Sequence, residues 1–226
     1  MSALLAYIEE KRLVMASDVL VFESDERYPK FRIFQTRKGP VLVGGVGWLP
    51  IIDRLLSPLQ QICNEQGLTI SNLSEFLPGA IDFMLKQRKP ESIDEERDIK
   101  FPPAHILFGG FDHAERRMRL WMSMKNGVGT GTTIKCAMND FAAIGFLESE
   151  DTDAFLQLHK TLQREGRAFD TTSVARILGA QIDEMATRHP GRVGRAAVFA
   201  AIDDSGLIQL PADFPAPNSE CAAVAR

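Results

Sequence analysis

Short apolar runs separated by charged or proline-bearing breaks fill the first part of the chain. Residues 3–8, 13–22, 31–34 and 41–46 are such runs, parted by EEKR, ESDERYP and QTRKGP. Each is too short for a typical helix and is bounded by turn-forming residues, so each predicts a strand. Gly44, Gly45 and Gly47 interrupt the fourth run and predict a turn. From Trp48 the period changes. Ile52, Leu55, Leu56, Leu59, Ile62 and Cys63 recur at helical spacing until Gly67, with Pro58 expected to kink or interrupt the helix.

A second helix is expected over residues 74–86, carrying Phe76, Leu77, Ala80, Phe83 and Met84. The charged, proline-flanked stretch 87–103 reads as an exposed loop. Residues 104–111 and 118–124 predict a hairpin around DHAERR, the glycine- and threonine-rich stretch 127–133 a mobile loop, and residues 141–146 a strand. Two further helices are expected, over 151–164 and 172–188. The latter has Val174, Ile177, Leu178, Ile182 and Met185 on one face. Two last strands, 193–201 and 207–210, flank the turn DDSG. Residues 1–210 thus read as one domain, and the proline- and alanine-rich residues 211–226 as a loose tail. No internal repeat is visible.

Composition narrows the class without naming it. The 226 residues are 45% hydrophobic and 25% charged, as in a soluble globular protein. A net charge of −4 argues against a nucleic-acid surface, and the basic clusters at 86–89 and 116–119 read as solvated turns and strand edges. Cys63, Cys136 and Cys221 are odd in number and lack CxxC spacing, which suits a reducing, cytoplasmic setting. The opening apolar run is too short for a signal peptide, and no stretch is apolar enough to span a membrane.

Several motif readings fail on their own spacing. In the dinucleotide pattern GxGxxG, Pro50 stands where a third glycine would follow Gly45. A nucleotide-binding α/β protein is therefore the weakest of three functional alternatives. GVGTGTT lacks the GK[ST] ending of a phosphate loop. His105, His113, His159 and His189 have no paired ligand spacing. No cofactor and no metal is expected.

The first forty-eight residues contain the parts of a different chemistry. If Met1 is removed, which the small side chain of Ser2 permits, the α-amine of Ser2 titrates near ~7.7–8.0 and can take a proton from the hydroxyl of the same residue. Lys30 would lower the proton affinity of both groups, and Asp18 would hold Lys30 charged and in place. Backbone N–H groups among the glycines could stabilise an oxyanion.

At these residues the chain resembles a proteasome β-type subunit of the N-terminal nucleophile hydrolases, as a divergent bacterial-type member. Ser2 to Asp18 has the family's spacing of sixteen, and MASD matches its A-A-D-S run. Lys30 opens KFRIF as the family's lysine opens a strand, and Lys30 to Gly44 repeats the family's spacing of fourteen. ILFGGFD and LWMSMKNG resemble a further pair of its strands. The resemblance implies an α+β fold, a four-layer αββα sandwich of two antiparallel sheets. It also implies Ser2 as nucleophile, Asp18 and Lys30 as its charge pair, and the Gly44 N–H as oxyanion donor. Val21, Leu42 and Val46 would line a substrate pocket for an apolar side chain. The implied activity is peptide or amide hydrolysis within a ring-forming homo-oligomer acting on a peptide or protein substrate, with room for an ATP-dependent unfoldase as partner. Two polar positions differ: Phe146 stands where the family has a serine, and His189 where it has an aspartate. His189 could instead cap a helix before Pro190. The alternative is a catalytically inactive structural or assembly subunit in which Asp18 and Lys30 form only a structural ion pair.

Overall fold

The structure, a computed structural model, describes residues 3–20, 29–47, 49–66, 69–86, 104–127, 130–145, 160 and 170–210. Four strands come first: β1 (Ala3–Ile8), β2 (Arg12–Asp18), β3 (Phe31–Thr36) and β4 (Gly39–Gly47). Helices α1 (Leu49–Gln66) and α2 (Ile70–Lys86) follow, then β5 (Ala104–Asp112), β6 (Arg117–Gly127), β7 (Thr130–Lys135) and β8 (Asp140–Gly145). Helix α3 (Thr171–Arg188), β9 (Ala197–Asp203) and β10 (Gly206–Ile208) complete the described chain.

The strands form two five-stranded sheets, in the orders β10-β9-β2-β1-β8 and β3-β4-β5-β6-β7. Every neighbouring pair is antiparallel. Three apolar layers hold them. Leu4, Leu13, Met15, Leu42, Leu107 and Leu120 fill the space between the sheets. On the outer face of the second sheet, Val41, Val43 and Phe108 meet Leu56, Leu59, Leu73 and Leu77 of α1 and α2. On the outer face of the first, Leu5, Val14 and Phe199 meet Leu178 and Ile182 of α3. The architecture is a four-layer αββα sandwich of two antiparallel sheets. This layering explains why β1 is apolar at every position rather than at alternate ones. Leu4, Ala6 and Ile8 face the other sheet, while Ala3, Leu5 and Tyr7 face α3, so neither side of the strand meets water.

Several boundaries depart from the sequence reading for local reasons. Helix α1 runs through Pro58 uninterrupted, because Leu55, Leu56 and Leu59 anchor it to the sheet while Pro58 sits on its exposed side. Helix α2 begins at Ile70 rather than near Ser74. Thr69 and Asn72 cap it reciprocally: the Asn72 N–H donates to Thr69 Oγ1 at 3.3 Å and the Thr69 N–H to Asn72 Oδ1 at 3.1 Å. The expected loop at 127–133 is largely strand β7, whose Thr132, Thr133 and Ile134 are β-branched and pair with β6. Residues 193–196 precede β9 instead of belonging to it. The glycines of the fourth run do not form a turn: β4 carries through Gly44 and Gly45 and ends at Gly47, where φ is +128°. The helix expected over 151–164 lies outside the described residues except for Lys160, which is helical. The loop at 87–103 and the tail at 211–226 also lie outside them.

Candidate active site

Asp18 is the last residue of β2, and strand pairing sets it beside the start of β1, where Leu4 is opposite Ser17. Its carboxylate collects three backbone donors. The Ala3 N–H donates to Oδ1 at 2.7 Å, and the Leu20 and Gly194 N–H groups donate to Oδ2, each at 3.2 Å. Lys30 lies just before β3 in the other sheet. Its Nζ donates to the Leu20 carbonyl at 2.7 Å, so Leu20 contacts the acid through its amide and the base through its oxygen.

Both charged groups are inside the protein, Asp18 at 0% exposure and Lys30 at 5%. Burial is the dominant influence on each. It pushes the Asp18 carboxyl above its ordinary value, against the opposing pull of Lys30 and the three amides. It also draws the Lys30 ammonium below its ordinary value, with the Asp18 charge opposing. Each group is therefore biased toward its neutral form while attracting the other's charge. Two such groups inside the protein are expensive to maintain, and perturbed pairs of this kind are concentrated at functional sites.

The glycines fit the same corner. A Cβ on Gly44 would lie 2.5 Å from Leu4 Cδ2, 2.8 Å from Phe31 Cβ and 3.0 Å from the Lys30 carbonyl oxygen. Only glycine lets β1, β3 and β4 converge there. The Gly45 N–H donates to the Lys30 carbonyl at 2.8 Å, so strand alternation aims the Gly44 amide the other way, toward its partner Leu107 on β5. A Cβ on Gly194 would lie 2.7 Å from Leu20 Cβ, so that glycine is what allows its amide to reach Asp18.

The structure brings Asp18, Lys30 and Gly44 together. Ser2 and Val21 lie outside the described residues, as does Phe146. Leu42 and Val46 both belong to the core between the sheets, at 0% and 5% exposure. His189 is the C-cap of α3, its N–H donating to the Met185 carbonyl at 2.8 Å. Among the described residues no group of three or more His, Cys, Asp or Glu side chains is placed to hold a metal ion. Burial pushes the Cys63 and Cys136 thiols up to about 11, leaving neither as a ready nucleophile. Ser17, Leu20 and Gly194 were not singled out as site residues from sequence. Gly194 had a signal, as a glycine inside the strand expected over 193–201, where a missing side chain marks a close approach of backbones.

The layers and the sheet orders are those of a proteasome-like fold. Solved structures with the same fold include Anbu (ancestral beta-subunit) from Yersinia bercovieri, 15% identical, covering 98% of this chain and 90% of that one with a TM-score of 0.66. Anbu from Hyphomicrobium sp. strain MC1 is 17% identical over 99% of this chain and 93% of that one, TM-score 0.62. A Gly-1 mutant of the Hyphomicrobium protein gives 15%, 100%, 92% and 0.63 in the same order. No protein-family model matches the sequence, and no curated protein does. At these identities the likeness is one of fold. Among the described residues no helix is long and apolar enough to cross a membrane.

Proposed function

We propose that the protein is a proteasome-like hydrolase of peptide or amide bonds that uses Ser2, freed by removal of Met1, as an N-terminal nucleophile. The observation that carries this reading is the buried pair of Asp18 and Lys30 at the point where β1 begins, with Asp18 holding the amide of the residue that follows Ser2. In the proposed reaction the Ser2 hydroxyl attacks the scissile carbonyl and passes its proton to the free α-amine. Lys30, held by the Leu20 carbonyl and within the influence of the Asp18 charge, favours the deprotonated forms of amine and hydroxyl through its own charge. The acyl-enzyme is then released by water. Gly44 as oxyanion donor requires its amide to be shared between Leu107 and the substrate. An apolar wall for the residue before the cleaved bond would have to come from Val21, since Leu42 and Val46 are buried in the core between the sheets.

The family likeness supports a homo-oligomeric ring as the working form, and an ATP-dependent unfoldase is a further candidate partner. The competing reading is a non-catalytic assembly subunit. Intact mass and an active-site probe separate the two. Loss of Met1, together with a β-lactone or epoxyketone adduct at Ser2 that is absent in Ser2→Ala, is the expected result. Retention of Met1 in purified protein leaves no free amine at Ser2 and defeats the catalytic reading.

A further inference from the structure

Lys30 sits one residue ahead of β3, and its backbone is only half engaged with its own sheet. Its carbonyl accepts the Gly45 N–H at 2.8 Å. In a regular antiparallel pair the Lys30 N–H would be returned to Gly45. Instead it donates to Ser17 Oγ, at 3.2 Å, on β2 of the opposite sheet. Ser17 has no solvent exposure and pairs with Leu4 and Val198, which both belong to the core between the sheets. A hydroxyl in so apolar a place costs free energy unless it is hydrogen-bonded, and the Lys30 N–H supplies that bond. Its neighbour in sequence is the acid of the candidate site, and its partner is the base.

We propose that Ser17 is a positioning residue: by carrying the Lys30 amide across the gap between the sheets, it fixes the lysine backbone in register with Asp18. The role rests on the proposed catalytic reading for its purpose but not for its detection. Side-chain contacts alone would let Lys30 approach the Leu20 carbonyl from a range of backbone positions, because its four-carbon stem is flexible. The Ser17 bond removes that freedom at the residue where the regular exchange of hydrogen bonds with β4 stops.

The direct test is amide hydrogen exchange at Lys30 in the full-length protein, with Phe34 of β3, opposite Val41, as internal reference. Ser17→Ala should speed exchange at Lys30 about tenfold relative to Phe34, the factor that corresponds to ~1.4 kcal/mol. Ser17→Thr, which keeps the oxygen, should restore protection. A second readout is the rate at which an amine-acylating reagent labels Lys30, followed by mass spectrometry at fixed pH. It should change at least threefold in Ser17→Ala and return to the parent value in Ser17→Thr. Equal exchange and equal labelling in parent and Ser17→Ala would overturn the assignment. So would a uniform rise in exchange at both residues, which indicates general loosening. If the parent cleaves peptides, Ser17→Ala should lower kcat with KM little changed. If the parent is inert while exchange and labelling respond as expected, the catalytic reading fails and the positioning role stands.

Discussion

Replacing Gly44 with alanine tests the convergence of three strands on which the site's geometry rests. The added methyl would meet Leu4 Cδ2 at 2.5 Å, Phe31 Cβ at 2.8 Å and the Lys30 carbonyl oxygen at 3.0 Å. The Leu4 methyl can rotate aside, but Phe31 Cβ and the Lys30 carbonyl move only with the backbone of β3. Overpacking of this kind costs roughly 1–3 kcal/mol. Against it stands a gain of about 0.5–1 kcal/mol, because alanine restricts the unfolded chain more than glycine does. The net expectation is a loss of about 1–2 kcal/mol, or a fall in Tm of roughly 3–7 °C for a chain of this size. Gly79, exposed in the middle of α2, is the control. A Cβ there meets nothing within 4 Å, so Gly79→Ala should add about 0.5–1 kcal/mol. Urea denaturation of both variants, with m held to the parent value, reads the difference. Should Gly44→Ala gain stability as Gly79→Ala does, Leu4, Phe31 and Lys30 cannot meet at that glycine, and the placement of Lys30 goes with them.

Three further outcomes follow from the same geometry. In Lys30→Met the Asp18 carboxyl loses the largest influence holding it down, so its midpoint, followed by carboxyl NMR, should rise further, while any probe reaction at Ser2 should slow a hundredfold or more; an unmoved midpoint would show that the two charges do not interact. Because the folded-state value of Asp18 lies above its ordinary 3.8, the folded protein binds the extra proton. The stability advantage of the parent over Asp18→Asn should therefore shrink as pH rises from about 3.8, as measured by denaturation at several pH values; a growing advantage refutes the direction of the shift. Gly194→Ala should drive Leu20 away from the site, since the new Cβ lies 2.7 Å from Leu20 Cβ. It should cost about 1–2 kcal/mol and lower probe labelling at Ser2, and a variant with parental stability and labelling would remove Leu20 and Gly194 from the site.

Much of this architecture was legible because its periodicities are clean. β1 is marked by unbroken apolar residues, and α3 by Val174, Leu178, Ile182 and Met185 at helical spacing. Asp18, Lys30 and Gly44 were found by residue spacing, and long-range strand pairing then brought them together. What escaped was decided by contacts that spacing does not encode. Pro58 looked like a break, but the leucines on either side hold α1 against the sheet. Thr69 and Asn72 start α2 earlier than its apolar stripe suggests, through a cap made by two side chains. The stretch before Ile134 looked like a loop because glycine and threonine dominate it, whereas pairing with β6 makes it an edge strand. Ser17, Leu20 and Gly194 contribute a hydroxyl, a carbonyl and amides. Every residue has a backbone amide and carbonyl, so nothing in the identity of Leu20 announces its part, and Gly194 is marked only by lacking a side chain that would strike Leu20.

The bond between the Ala3 amide and Asp18 works as a ruler for the beginning of the polypeptide. An extended residue spans about 3.3 Å and successive side chains alternate in direction. With Ala3 fixed, one residue inserted between it and Ser2 would displace the hydroxyl by a full step and reverse the side on which it emerges. Under the proposed reading, trimming that stops one position early would leave Met1 on the Ser2 amine and trimming one position late would remove the hydroxyl itself, so a purification tag belongs at the other terminus.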